Sequence, residues 1–192
     1  MNAVTLIVGL GNPGREYERT RHNAGAWFVQ ALADQHHIAL NPEPRYHGLT
    51  GRGSIHGHDV RLLVPTTFMN RSGQAVAPMA GFFKIPVEEI LVAHDELDLQ
   101  PGDIRLKRGG SGGGNGVKDI QRALGNNGNF QRLRIGIGHP GQASQVTDYV
   151  LRIPPANERE QIESAIERAL SVMPLIVSGD LPRAMNQLHS KV

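Results

Sequence analysis

Thr5-Leu6-Ile7-Val8 is a short apolar run cut off at once by Gly9-Leu10-Gly11-Asn12-Pro13-Gly14, and this junction limits what the chain can become. The run reads as a buried strand, and the glycine turn delivers Asn12 to a sheet edge. From Gly14 to Arg21 the chain is polar. Ala24, Trp27, Phe28, Ala31 and Leu32 then recur at helical spacing, which predicts a helix beginning near Asn23 with His22 at its entrance.

The same alternation recurs. Asn41-Pro42-Glu43-Pro44 marks a loop, and Gly48 to Val64 reads as a hairpin of short strands. Arg61-Leu62-Leu63-Val64-Pro65 is a strand stopped by proline, after which Asn70 or Ser72 caps a helix through Val76, Met79, Ala80 and Phe83. Ile90-Leu91-Val92-Ala93 is a strand that ends at His94-Asp95-Glu96-Leu97-Asp98. Asn115 is placed to cap a helix from Val117 to Leu124, and Arg132 to Gly138 alternates as a strand, arginines on one face and aliphatics on the other. Thr147 to Leu151 reads as a short strand or turn. Pro154 and Pro155 introduce a long helix from Asn157 to about Leu175, and Leu181 to Leu188 forms a last one. Strands interleaved with helices predict an α/β sheet covered on both sides.

The 192 residues fit a single domain, 1–192. The absence of cysteine excludes a disulfide framework, a thiol nucleophile and a Cys-ligated zinc. With neither a signal peptide nor a membrane-length apolar run, a soluble cytoplasmic protein is expected. Net charge is only +2, but Arg and Lys cluster at 15–21, 105–108 and 132–134. A local basic face suits a polyanion held transiently; ordinary solvated charge is the other reading.

Gly9-Leu10-Gly11-Asn12-Pro13-Gly14 matches the G-x-G-x-x-G dinucleotide pattern, but Pro13 and the polar run to Arg21 delay the helix that would have to hold a pyrophosphate. Asp95, Glu96 and Asp98 have the composition of a metal cluster, yet neighbouring strand residues point to opposite faces. A different task suits Asp95: it can accept the ring N–H of His22, fix the tautomer and stabilise the imidazolium formed when His22 takes a proton. The helix end lowers the ring's pKa and the carboxylate raises it, which leaves a base titrating near neutrality. There is no H-E-x-x-H and no cysteine, and activated water is expected in place of a covalent intermediate. Asn12, Asn70 and Asn115 supply uncharged amides that can orient a substrate or steady an oxyanion if they converge.

These segments carry a resemblance. Val8 to Gly14, Tyr17, Thr20-Arg21-His22-Asn23-Ala24-Gly25, Pro65-Thr66-Thr67-Phe68-Met69-Asn70-Arg71-Ser72-Gly73, His94 to Asp98 and Arg134-Ile135-Gly136-Ile137-Gly138-His139-Pro140 resemble the bacterial peptidyl-tRNA hydrolases, in the family's order and essentially end to end. The resemblance implies one α/β domain with a twisted mixed β-sheet flanked by helices, with no metal and no organic cofactor. It implies hydrolysis of the ester joining a peptide, or an N-blocked aminoacyl group, to tRNA, which recycles tRNA during translation. Peptidyl-tRNA is the implied partner, with no DNA and no membrane, and a monomer is expected.

Carried over by position, His22 resembles the general base, Asp95 the carboxylate that orients it, and Asn12 the residue that helps hold the histidine and the substrate's 3′ end. Asn70 and Asn115 resemble the residues that bind the peptide part and the catalytic water, and Met69 resembles a wall of the peptide cleft. Tyr17, Asn23 and Phe68 join the implied substrate-binding set. Lys107 and Arg134 resemble the basic pair that clamps the tRNA 5′-phosphate. The chain departs from the family where the glycine loop usually ends Gly-Gly-His-Asn-Gly: Gly113-Gly114-Asn115-Gly116 lacks the histidine and is one residue short. A second departure is Gln142-Ala143-Ser144, where relatives often carry lysines. The shortened loop motivates a rival reading, a tRNA-binding or ribosome-associated module without turnover; a nucleotide-binding protein is the third.

Overall fold

The computed structural model describes residues 3–110 and 112–189. At its centre, β1 (Leu6–Gly9) is buried along its whole length, as expected of an apolar strand with parallel neighbours on both sides. It pairs in parallel with β4 (His58–Pro65), Val8 opposite Leu63, and with β5 (Ile90–Glu96), Val8 opposite Val92. The seven-stranded sheet runs in the order β2-β3-β4-β1-β5-β7-β6. Here β2 is Asn41–Glu43, β3 Gly48–Ile55, β6 Ile104–Arg108 and β7 Gln131–Gly136. β5 and β7 are parallel, whereas β2-β3, β3-β4 and β6-β7 are antiparallel, so the sheet is mixed.

Alternate residues of the central strands serve different layers. Ile7, Leu62, Leu91, Ala93, Leu133 and Ile135 join a core with α1 (Ala24–Gln35), α5 (Ala156–Ser171), α6 (Met173–Ser178) and α7 (Leu181–His189). Leu6, Val8, Leu63, Ile90 and Val92 join a second core with α2 (Gly73–Phe82) and α3 (Gly114–Ala123).

The glycines of the first turn have a packing role. A Cβ on Gly25 would stand 2.2 Å from the Ala93 carbonyl oxygen, and one on Gly9 would stand 2.5 Å from the Gly25 carbonyl oxygen. The first turn of α1 therefore rests backbone to backbone on β1 and β5, and the Ala26 N–H donates to the Leu10 carbonyl at 3.0 Å. In the glycine pattern that resembles a pyrophosphate cradle, the space beside Gly9 is filled by the Gly25 main chain and that beside Gly11 by the Asn23 side chain.

Several local expectations are corrected. The segment expected to be a strand or turn at Thr147 to Leu151 is instead a short helix, α4 (Val146–Val150). The long helix from Asn157 to about Leu175 is two helices that break at Val172, and Pro174, which lacks an N–H, lies in the first turn of α6. Asn41 to Glu43 is a three-residue edge strand, where Pro42 is tolerated. Neither Asn70 nor Ser72 caps α2 with its side chain. Ser72 Oγ donates to the Met69 carbonyl at 2.7 Å, and Asp119 Oδ2, from α3, accepts from the Gly73 N–H at 2.8 Å. Likewise Asn115 lies inside the first turn of α3 rather than at its cap, which Gly113 occupies at φ +92°. Of the glycine-rich span 109–116, Ser111 lies outside the described residues.

Candidate active site

β1 and β5 end side by side, Gly9 opposite Ala93, and the Leu10 N–H donates to the Ala93 carbonyl at 3.1 Å. Asn12 and Asp95 thus emerge at one sheet edge. His22 lies in a single 3-10 turn, Arg21–Asn23, immediately before α1. Because Gly25 presses α1 onto the sheet, that turn is carried down to Asp95, and His22 Nδ1 lies 2.8 Å from Asp95 Oδ2. An ionised carboxylate only accepts, so Nδ1 carries the proton and Nε2 keeps its lone pair. The imidazole side chain is 21% exposed and the carboxylate 9%, so solvent reaches the ring and hardly its partner. Burial disfavours the charged ring, but the charge of Asp95 and its hydrogen bond outweigh it and raise the His22 pKa above the usual 6.5. The helix-end effect expected to hold the ring neutral is not the controlling influence.

Asn12 is fixed from two sides. Its Oδ1 accepts the Met69 N–H at 2.7 Å, which determines the amide orientation, since only oxygen accepts that bond. Its main-chain N–H donates to Asn23 Oδ1 at 2.9 Å, and its carbonyl accepts from Asn23 Nδ2 at 3.0 Å. Asn12 Nδ2 is left to donate into the adjoining cavity. That cavity, about 360 Å³, is lined by His22, Asn12, Asp95, Met69 and Asn115 on one side and by Val146, Val150 and Leu151 on the other.

The other expected site residues divide. Asn23 is buried and holds Asn12 through both of that residue's main-chain groups; it does not line the cavity. Met69 is a buried wall. Asn115 lines the cavity from the exposed first turn of α3. Phe68, 58% exposed, and Asn70, also exposed, are not among the lining residues. Tyr17 lies in the turn before Thr20, whose Oγ1 donates to its carbonyl at 2.8 Å, and it too is outside the cavity lining.

Lys107 and Arg134 share the α3 face of the sheet: Lys107 is opposite Arg132, Arg105 opposite Arg134, and residues two apart on a strand point the same way. Arg134 Nε donates to Glu96 Oε1 at 2.9 Å. Glu96 lines the cavity, so the basic face and the histidine cleft meet through one ion pair. Asp95 and Glu96 turn to different partners, His22 and Arg134.

Sequence reasoning missed two buried groups here. Arg132 is only 2% exposed. Its guanidinium donates to the carbonyls of Gly110 at 2.9 Å, Gly112 at 3.2 Å and Gly128 at 3.4 Å, and it packs on the Phe130 ring at 4.7 Å. It is a tie for glycine backbone, and the strand alternation that groups Arg132 with Arg134 gives no sign of it. His94 is 1% exposed and Nδ1–H donates to the Asp95 carbonyl at 2.9 Å. Burial holds its pKa below the usual value, against the opposing pull of Asp95 and Glu96.

The fold and cleft define an α/β protein with a carboxylate-backed histidine and converging amides at the edge of a mixed sheet. The family model described as peptidyl-tRNA hydrolase matches residues 6–192, and the chain belongs to that family. It is 59% identical over 192 residues to the peptidyl-tRNA hydrolase of Pseudomonas savastanoi pv. phaseolicola, covering 100% of this chain and 99% of the relative. The Acinetobacter baylyi protein of that name is 57% identical over 191 residues, covering 99% of this chain and 98% of its own length. The crystal structure of peptidyl-tRNA hydrolase from Acinetobacter baumannii superposes with a TM-score of 0.96 at 55% identity, covering 99% of this chain and 96% of that one.

Proposed function

We propose that this chain hydrolyses the ester between the peptide, or an N-blocked aminoacyl group, and the tRNA of peptidyl-tRNA, with His22 as general base. The observation that most supports this reading is the His22–Asp95 pair, 2.8 Å apart, in a cavity shared with Asn12 and Asn115. Nε2 takes a proton from water as its oxygen attacks the ester carbonyl. The Asp95 carboxylate stabilises the imidazolium. Asn12 Nδ2 is placed to donate to the oxyanion of the tetrahedral intermediate. Collapse breaks the bond to the tRNA 3′-oxygen, which regains the proton from the imidazolium, and the acid is released.

Met69 and Asn115 contact the peptide side in this reading, while Lys107 and Arg134 hold tRNA phosphate and leave its sequence unread. Phe68, Asn70 and Tyr17 act outside the cavity, on the longer reach of the substrate. The chain works as one domain and a monomer in the cytoplasm, on tRNA and not on DNA. Among the described residues no helix is long and apolar enough to cross a membrane.

The test is release of the acyl group from N-acetyl-aminoacyl-tRNA by the unmodified protein and by His22→Ala. Turnover lost by about 10²–10⁴-fold in the variant supports the base assignment. Near-normal turnover in the variant refutes it, and tRNA binding without release by either protein moves the reading to a binding module.

A further inference from the structure

Arg21 precedes His22 in the chain and is only 5% exposed, although it carries a charge. A buried guanidinium needs acceptors for its N–H groups, and those it finds lie on α4 and α5. Nη1 donates to the Tyr149 carbonyl at 2.9 Å, the guanidinium lies over the Tyr149 ring at 3.8 Å, and Nη2 reaches Glu158 Oε1 at 3.4 Å. The Arg21 main-chain N–H donates to the Arg152 carbonyl at 3.1 Å. One residue therefore binds both ends of the segment 149–152 to the turn that carries His22.

That segment completes α4, and α4 with the following Leu151 supplies Val146, Thr147, Val150 and Leu151 to the cavity. α4 is five residues long, has one buried residue, Val150, and has no side-chain cap at its N-terminus. A helix that short does not hold itself in water, so its place depends on what it is tied to. Beyond the bonds to Arg21, Tyr149 Oη donates to the Ile137 carbonyl at 2.6 Å, which clamps the tyrosine from its far end.

We propose that Arg21 is a positioning residue that fixes α4 against the His22 turn and thereby sets the apolar wall that selects the acyl group, an inference that rests on the reaction proposed above. A planar fork can stand over the Tyr149 ring while reaching the Tyr149 carbonyl and Glu158 together; a lysine ammonium has no second arm to do so. Val150 and Leu151 contact the acyl group alike before and during reaction, so a displaced wall raises KM more than it lowers kcat.

The experiment compares kcat and KM on N-acetyl-phenylalanyl-tRNA and N-acetyl-glycyl-tRNA for the unmodified chain, Arg21→Gln, Arg21→Lys and Glu158→Gln. Differences between the two tRNAs cancel when the ratio of kcat/KM is compared across variants. In Arg21→Gln the preference for the large acyl group falls about tenfold, the size of effect a misplaced apolar wall produces. Arg21→Lys recovers part of it, and Glu158→Gln stays within about twofold of the unmodified ratio, because the Tyr149 carbonyl holds α4 without Glu158.

A merely structural role would lower activity on both substrates alike. An unchanged ratio in folded Arg21→Gln overturns the proposal, as does an equal loss in Glu158→Gln. If Arg21→Gln does not fold, Arg21→Lys decides by the same ratio. If the unmodified chain releases neither substrate, the reaction reading has failed, and amide hydrogen exchange across 149–152 decides for Arg21: faster exchange in the folded variant supports the tie, unchanged exchange overturns it.

Discussion

Replacing Asp95 by Asn keeps the shape of the His22 partner and removes its charge. In the unmodified chain burial disfavours the imidazolium, and the Asp95 charge and hydrogen bond prevail, so the His22 pKa lies above 6.5. The base form is the active one, so kcat/KM falls on the acid side with an inflection above pH 6.5 and levels off at higher pH. In Asp95→Asn the burial remains and the opposing charge goes; the amide oxygen can still accept from Nδ1–H, but burial is the larger influence, so the inflection moves below 6.5. The plateau drops as well. The charges are centred somewhat farther apart than the 2.8 Å between Nδ1 and Oδ2. Two unit charges at about 4 Å in an effective dielectric of about 20 interact by about 4 kcal/mol. That interaction is felt fully only once the imidazolium has formed, so its loss lowers kcat by about 10³-fold. The assay is acyl release from N-acetyl-aminoacyl-tRNA between pH 5 and 9, with His22→Ala subtracted for spontaneous ester hydrolysis. A variant that retains more than a tenth of kcat with its inflection still above 6.5 would show that Asp95 does not act through the charge of the ring.

Three further outcomes are expected. Lys107→Ala with Arg134→Ala weakens tRNA binding and reduces the slope of log K against log salt by about 0.7–0.9 for each phosphate no longer neutralised, measured by titration from 50 to 200 mM salt; an unchanged slope removes the clamp. Asn12→Ala lowers kcat by about 10²–10³-fold, as for removal of an oxyanion donor, and melts earlier because the Met69 N–H loses its acceptor. Gly25→Ala gains about 1 kcal/mol in helix propensity but places a methyl 2.2 Å from the Ala93 carbonyl oxygen. The expected net cost of about 2 kcal/mol lowers the melting temperature by about 4–8 °C, and a melting temperature at or above that of the unmodified chain would mean that α1 can lift off the sheet freely.

What the sequence discloses and what it hides follow from the range of the interactions. Asn12 and Asp95 lie just after or within strands that read plainly as apolar runs, and His22 precedes a helix of plain periodicity. Residues in such positions collect at one sheet edge once the strands are adjacent, so the pairing of histidine and carboxylate is legible in the sequence, while the convergence of the asparagine amides on it is not. α4 was not, because five residues with Val146, Thr147 and Val150 have no helical period to display, and a tertiary tie from Arg21 fixes their form. Nor could Arg132 be told from Arg134. Both alternate with aliphatics on one strand, and only the glycine carbonyls folded over Arg132 make it a buried tie while its neighbour pairs with Glu96. Asn70 carries the same side chain as Asn12, but its turn leaves it exposed.

The contact between Gly25 and the Ala93 carbonyl has a consequence for how freely the rest of this chain can change. Between His22 and Asp95 the dimension is set by three residues of backbone on one side of that contact and two on the other, with no side chain interposed. Substitutions among the aliphatics of α5, α6 and α7 alter how firmly the layers adhere, but they do not enter the chain of covalent lengths and main-chain contact that spaces the two groups. Stability and the spacing of His22 and Asp95 are thus independently adjustable. One half of the protein can be repacked while the distance between His22 and Asp95 stays the same, provided that two glycines, 9 and 25, are never given a side chain.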